Sequence, residues 1–140
     1  MKRKASAVFV LVHPSHPRHI LGYYTLSAYA LAQGDVPELA RRYVPRYPLV
    51  SATLIGRLAV ARDHQGQGIG TLLLADALRR ADNNAAIVGS SMIVVDAIDE
   101  AAADFYGAFG FVRLPDSLRL IVPMSIIAGL VKTARGGESP

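Results

Sequence analysis

The segment Leu58-Ala59-Val60-Ala61-Arg62-Asp63-His64-Gln65-Gly66-Gln67-Gly68-Ile69-Gly70 constrains this chain more than any other. It begins apolar, as a buried strand does. It turns through polar residues with alternating glycines, then enters a stretch where Ile69, Leu72, Leu73, Ala77 and Ala81 recur at helical spacing. A strand that passes directly into a helix has no hairpin partner next in the chain, so a crossover on a mixed or parallel sheet follows. Glycines let the backbone adopt left-handed angles and keep Cβ atoms out of a ligand's way. The first turn of a helix carries unpaired N–H groups with positive dipole character. Strand, glycine turn and helix start together form a cradle suited to phosphate.

The elements around this segment follow from hydrophobic pattern and turn residues. Ala7 to Val12 and Ile20 to Leu31 are apolar runs separated by turn residues His13 to His19, which predicts a β-hairpin. Asp35 to Glu38 opens a short helix with Pro37 early in it. Arg41 to Leu49 carries two prolines and is irregular. Thr53 to Ala61 is a buried strand, and the helix after the glycine turn runs from Gly68 to about Asn83. Ser91 to Ala97 is a second buried strand. Asp99 is placed to cap a helix ending near Phe109, with Gly110 as its stop. Phe111 to Leu114 and Leu118 to Pro123 close the sheet around Pro115-Asp116-Ser117, and a short helix spans Ser125 to Ala134. The reading is one domain over residues 1–134, with frayed residues 135–140 after it.

Composition narrows the chemistry. The 140 residues suit one compact domain, and 51% hydrophobic content supports a core. Without cysteine there is no disulfide, thiolate metal site or cysteine nucleophile, which fits a reducing cytoplasm. No apolar run approaches the roughly 20 residues that span a bilayer. Met1-Lys2-Arg3-Lys4 followed by Ala5 to Val12 has the outline of a signal peptide. His13-Pro14 stands where a small-residue cleavage site belongs, so the stretch is read as a strand. Lys and Arg total 15 against 11 Asp and Glu, a net charge of +4 that permits an anionic partner without requiring one. His13, His16, His19 and His64 are read as scattered surface or turn residues, and no metal site is expected.

A Walker loop needs a Lys then Ser or Thr after its last glycine, and Ile69-Gly70-Thr71 does not supply it. A dinucleotide fingerprint needs G-x-G-x-x-G after the first strand, whereas Gly66, Gly68 and Gly70 alternate after the third. Gln65-x-x-Gly68-x-Gly70, preceded by Gly56-Arg57-Leu58-Ala59-Val60, instead resembles the pyrophosphate loop of the GNAT N-acetyltransferases. Downstream, Ala102 to Tyr106 and Phe105-Tyr106-Gly107-Ala108-Phe109-Gly110-Phe111 are similar to that family's second signature. The resemblance implies an α/β (α+β) GNAT fold, a central mixed, mostly antiparallel sheet flanked by helices. It implies acetyl-coenzyme A as cofactor, held by Leu58, Ala59, Val60, Gln65, Gly66, Gln67, Gly68, Ile69, Gly70 and Thr71. It also implies that Tyr106 directs its hydroxyl at the coenzyme sulfur and protonates the departing thiolate. Phe105, Phe109 and Phe111 are read as core.

The similarity extends further. Gly22-Tyr23-Tyr24-Thr25-Leu26-Ser27, Pro45-Arg46-Tyr47-Pro48, Gly56 to Val60, Val94-Val95-Asp96-Ala97 and Phe105-Tyr106 occur in an order that resembles the acetyltransferase toxins of bacterial toxin–antitoxin pairs. In that family the acceptor is the α-amine of aminoacyl-tRNA, acetylation halts translation, and a ribbon-helix-helix antitoxin neutralises the toxin. A homodimer is among the assemblies the resemblance allows. Arg41, Arg42, Arg46 and Arg57 are then the candidates for tRNA phosphates, since Arg forks suit phosphate. An α-amine with a pKa of roughly 7.7–8.0 needs little help from a base, so the lack of a His or Glu in the motifs is no obstacle. Such toxins carry a first strand and one or two helices ahead of the strand that starts here near Ala7; that part is expected to be absent. Two other readings remain open at this point: an acetyltransferase for a small amine or a protein N-terminus, and a catalytically silent acetyl-coenzyme A-binding module.

Overall fold

Among the described residues, six strands build one sheet: β1 (Ala7–His13), β2 (His16–Ala32), β3 (Leu49–Val60), β4 (Met92–Asp96), β5 (Val112–Arg113) and β6 (Arg119–Pro123). Three helices connect them: α1 (Glu38–Arg41), α2 (Ile69–Val88) and α3 (Glu100–Gly107). This computed structural model describes residues 6–127 and 129. The sheet order is β1-β2-β3-β4-β6-β5. Only β3 and β4 pair in parallel; the other neighbours are antiparallel. The parallel pair is the one joined through α2, as a crossover requires. The mixed, mostly antiparallel sheet flanked by helices is therefore the expected architecture.

Both sheet faces are covered. Alternation along β3 sends Val50 and Ala52 to one face, where they meet Val36, Ala40 and Val44 around α1. Ile55 goes to the other, where it packs with Leu74, Ile93, Val95 and Leu120 beneath α2 and α3. α2 buries Ile69, Leu73, Leu74, Ala77, Leu78, Ala81 and Ala85. Leu72, expected inward, is 61% exposed. At 3.6 residues per turn it points away from a stripe centred near Ala77. The helix also runs one turn past Asn83 and stops at Gly89, whose φ of +68° and N–H to the Ala85 carbonyl make a left-handed cap.

The hairpin is tighter than expected. β1 and β2 are joined at Pro14-Ser15, and β2 begins at His16 rather than near Ile20. His13 pairs with His16 and Val12 with Ile20, so Pro17, Arg18 and His19 bulge out of the ladder. Pro17 has no N–H to give the ladder, which suits it to a bulge. α3 begins as expected: Asp99 accepts the Ala102 N–H at 2.8 Å. The helix expected over Ser125 to Ala134 is present through Ile127; its later part and the tail lie outside the described residues. Among the described residues, no helix is long and apolar enough to cross a membrane.

Candidate active site

The site grows from a division of β3. Its partner β4 accompanies it only from Ala52 to Ile55. Beyond that, β3 continues through Val60 with β2 alone. A bulge marks the boundary. Tyr24 faces Leu58 and Leu26 faces Ile55, so β2 spends one residue where β3 spends two, Gly56 and Arg57. The Thr25 hydroxyl accepts the Arg57 N–H at 3.0 Å. A Cβ on Gly56 would stand 2.8 Å from that same oxygen, which is why glycine fits here. The bulge shifts the inward set by one, so Leu58 and Val60 join Ile55 on the α2 face.

The backbone of this outer half is half-paired. Ala61 donates its N–H to the Leu21 carbonyl at 2.8 Å. Antiparallel alternation then turns the N–H groups of Leu58 and Val60 away from β2, toward the side that β4 has left. There a cleft of about 490 Å³ opens, lined by Tyr23, Leu58, Ala59, Asp96, Ala102 and Tyr106, with Arg57 at its rim.

At the end of β3 stands the glycine turn. A short 3₁₀ turn, Arg62–His64, leads into it. Gly66 and Gly68 hold φ of +79° and +80°, and a Cβ built on either meets nothing within 4 Å. The space in front of the turn is thus open. Gly68 is the N-cap of α2 and offers no side-chain cap. The first α2 bond from here is the Leu72 N–H to the Gly68 carbonyl at 3.2 Å, which leaves the N–H groups of Ile69, Gly70 and Thr71 without helical partners. Gln65 folds back to donate to the Val60 carbonyl at 3.3 Å. A Cβ on Gly70 would lie 3.7 Å from the Phe105 ring, so the cradle rests directly on α3.

Two buried tyrosines show how the site differs from the core. The Tyr24 hydroxyl donates to Asp76 at 2.5 Å and receives Arg80 at 2.8 Å, tying β2 to α2. Burial, with the Asp76 carboxylate beside it, raises its pKa. Tyr106 is 5% exposed, lines the cleft, and among the described residues its hydroxyl has no hydrogen-bond partner. Burial alone pushes its pKa from 10.0 to about 12. Its ring is wedged between Phe105 and Phe111, with centroids at 5.2 and 5.7 Å. One tyrosine is satisfied and structural; the other keeps a proton and faces open space.

Residues 4–113 match the family model described as acetyltransferase (GNAT) domain. The chain belongs to the GNAT acetyltransferase family. It is an N-acetyltransferase with acetyl-coenzyme A as cofactor. The chain is 36% identical over 113 residues to the tRNA-acetylating toxin of Mycobacterium tuberculosis (strain ATCC 25618 / H37Rv), covering 80% of this chain and 67% of that one. Among solved structures it resembles a tyrosine-to-phenylalanine mutant of KacT, with TM-score 0.80, 32% identity, and coverage of 88% of this chain and 74% of that one. It also resembles AtaT complexed with acetyl-methionyl-tRNAfMet, with TM-score 0.78, 30% identity, and the same coverage of 88% and 74%. AtaTR bound with acetyl-coenzyme A follows, with TM-score 0.74, 30% identity, and coverage of 88% and 73%.

The residues present fit this cofactor. The open cradle at Gly66 and Gly68 and the bare α2 start suit a pyrophosphate. The outward N–H groups of Leu58 and Val60 suit an extended amide-bearing arm. The arginines expected to act together do not all line the cleft. Arg57 reaches the cleft. Arg41 lines another groove, with Val36 and Pro115, and donates to the Val36 carbonyl at 2.9 Å. Arg42 donates to the Tyr43 hydroxyl at 2.7 Å and its guanidinium lies over that ring. Arg46 is exposed and, among the described residues, unpartnered. Three features were missed in the sequence: Tyr23 on the cleft wall, the Gly56 bulge, and the grip of Arg119 on Asp96 through bonds of 2.6 and 2.9 Å at the cleft edge. Glycine beside a strand's apolar run was the available signal for the bulge; the others depend on distant pairing.

Proposed function

We propose that this chain transfers an acetyl group from acetyl-coenzyme A to the α-amine of an aminoacyl-tRNA, and that it acts as a toxin of a toxin–antitoxin pair by blocking translation. The observation that carries the chemistry is that Tyr106, a buried residue, lines a cleft that begins where β4 leaves β3 and that its hydroxyl, among the described residues, has no hydrogen-bond partner. The similarity to tRNA-acetylating relatives supports the acceptor. An antitoxin partner is supported by the neighbouring structure of AtaT bound to the C-terminus of the antitoxin AtaR; a ribbon-helix-helix form and a homodimer are part of the same proposal.

The bound cofactor supplies an acetyl thioester and a thiolate leaving group. Gly66, Gly68 and the N–H groups of Ile69, Gly70 and Thr71 hold its pyrophosphate, with Gln65 and Gln67 bracing the turn. The Leu58–Val60 backbone orients the arm toward the cleft. One outward N–H there stabilises negative charge developing on the thioester oxygen, worth roughly 3–4 kcal/mol for a good donor. Tyr106 gives its proton to the departing sulfur by general-acid catalysis. Its neighbours Phe105 and Phe111 exclude water, which strengthens each electrostatic interaction.

Arg57, exposed and with no partner for its guanidinium among the described residues, meets the phosphates that follow the aminoacyl end. Arg41, Arg42 and Arg46 serve phosphates further along the tRNA. The test is direct. Purified protein is mixed with labelled acetyl-coenzyme A, total charged tRNA and a panel of free amines. Label in the aminoacyl-tRNA fraction, released when the ester is hydrolysed, is the expected result. Label only in free amines or protein N-termini would replace the acceptor, and no transfer at all would leave a silent binding module.

A further inference from the structure

Three histidines of the hairpin, His13, His16 and His19, meet a fourth from far along the chain, His64, at one corner of the molecule. The hairpin of β1 and β2 ends beside the outer end of β3, because Gly22 pairs with Val60. The Pro17–His19 bulge carries His19 across to His64 in the 3₁₀ turn ahead of the glycine cradle. Their Nε2 atoms stand 2.8 Å apart, and their rings meet edge-on with centroids at 5.0 Å. His13 lies next in the row, 6.3 Å from His19 and 5.0 Å from His16. None of the four lines the acetyl-transfer cleft.

We propose that His19 and His64 form a binding site for a divalent transition cation of the zinc, nickel or copper class. Imidazole is the side chain these ions favour, and the two Nε2 atoms face one another; without metal His19 Nε2 donates to His64 Nε2, so binding moves the His19 proton to its Nδ1. Two nitrogens on one tetrahedral zinc, each about 2.0–2.1 Å from the metal, stand about 3.3 Å apart. The pair therefore opens by only about half an ångström to admit the ion. The tautomer of His64 agrees with the assignment. Gln67 Oε1 lies 3.5 Å from His64 Nδ1, which favours the proton there and leaves Nε2 as the ligand atom. His13 differs, because its Nδ1 already accepts the Ser15 N–H at 3.1 Å. Among the described residues no third side chain converges with the pair, so water completes the coordination. His64 immediately precedes Gln65, so a bound ion clamps the hairpin tip onto the loop that opens the cradle. The site stands independently of which amine the enzyme acetylates.

The test uses the full chain without an affinity tag. Zinc chloride titrated by calorimetry should bind with one saturable equivalent. His19→Ala and His64→Ala should each weaken binding tenfold or more, His64→Gln should do the same, and His16→Ala should not. Zinc should raise the melting temperature of the parent and not of His64→Gln, while the metal-free melts of the two agree. Binding should fade in acid, because only neutral imidazole ligates. Copper(II) paramagnetic resonance should show two nitrogen ligands in the parent. The proposal is overturned if zinc shows no saturable binding, if the double variant of His19 and His64 binds as the parent does, or if loss of His13 and His16 is what abolishes binding.

Discussion

The two halves of β3 share a chain and a sheet but not a job. From Ala52 to Ile55 the strand pairs with neighbours on both sides, and Ala52 and Ile55 are at most 3% exposed. From Gly56 to Val60 it has β2 on one side and a cleft on the other. The inner half is held by packing that tolerates no missing volume. The outer half keeps backbone donors unspent, and a single inserted residue at Gly56-Arg57 separates the two. A functional edge has thus been made without ending the strand: its partner departs and a bulge re-aims what remains.

This comparison can be broken most strongly at the end of the outer half. Gly68→Asp places a carboxylate in the cradle, where a Cβ meets no atom within 4 Å; the φ of +80° costs an L-residue roughly 1–2 kcal/mol, which the fold should survive. Two like charges about 4 Å apart repel by about 4 kcal/mol at an effective dielectric near 20, a factor on the order of 10³. Calorimetry should therefore find coenzyme A affinity lost, with the protein still folding cooperatively at a modestly lower melting temperature. Intact affinity would remove the cradle from the site.

The inner half should fail in the opposite sense. Ile55, fully buried between β2 and β4, should cost about 2–5 kcal/mol on truncation to Ala. Leu58→Ala, on the partly exposed outer half, should cost less. Denaturant unfolding measures both, and equal losses would show that the bulge divides nothing. A smaller effect is expected at Arg57→Gln. Turnover on charged tRNA should fall as salt rises, and this variant should reduce the salt slope by about one unit. An unchanged slope would take Arg57 off the phosphate path.

How much of this was legible in the sequence follows the range of the interactions involved. The glycine turn, the α2 start, the Asp99 cap and the Gly110 stop are local, and residues within a few positions determine them. The alternation of strands and helices along the chain and the crossover followed from those; the order of strands in the sheet did not. The extent of β2 did not, because a two-residue turn at Pro14-Ser15 with a bulge at Pro17–His19 depends on register against β1. Leu72 followed a helical period that was right in spacing but wrong in phase, since the tertiary stripe runs through Leu74, Leu78 and Ala85 as well. The histidine corner was illegible for the same reason: His19 and His64 are 45 positions apart. Tyr106 was found only by resemblance. Its spacing on α3 suits a core residue equally well, and it is the lack of a hydrogen-bond partner among the described residues and the open cleft beside it that distinguish it from Tyr24.

The central claim is that Tyr106, at the wall of the cleft, supplies the proton for thiolate departure. With its pKa pushed up to about 12, the tyrosine stays protonated throughout the neutral range. Activity should rise as the acceptor amine loses its proton and show no decline from the tyrosine up to about pH 10. Folded stability should begin to fall only above the ordinary tyrosine value of 10.0, because the folded state holds this proton more tightly than the unfolded chain. Tyr106→Phe removes one oxygen and keeps the ring against Phe105 and Phe111. The rate of acetyl transfer to charged tRNA, measured per folded molecule across this pH range, should drop by about 10²–10⁴-fold with coenzyme A affinity nearly unchanged. A phenylalanine variant that acetylates at the parental rate would contradict the account and return Tyr106 to the core.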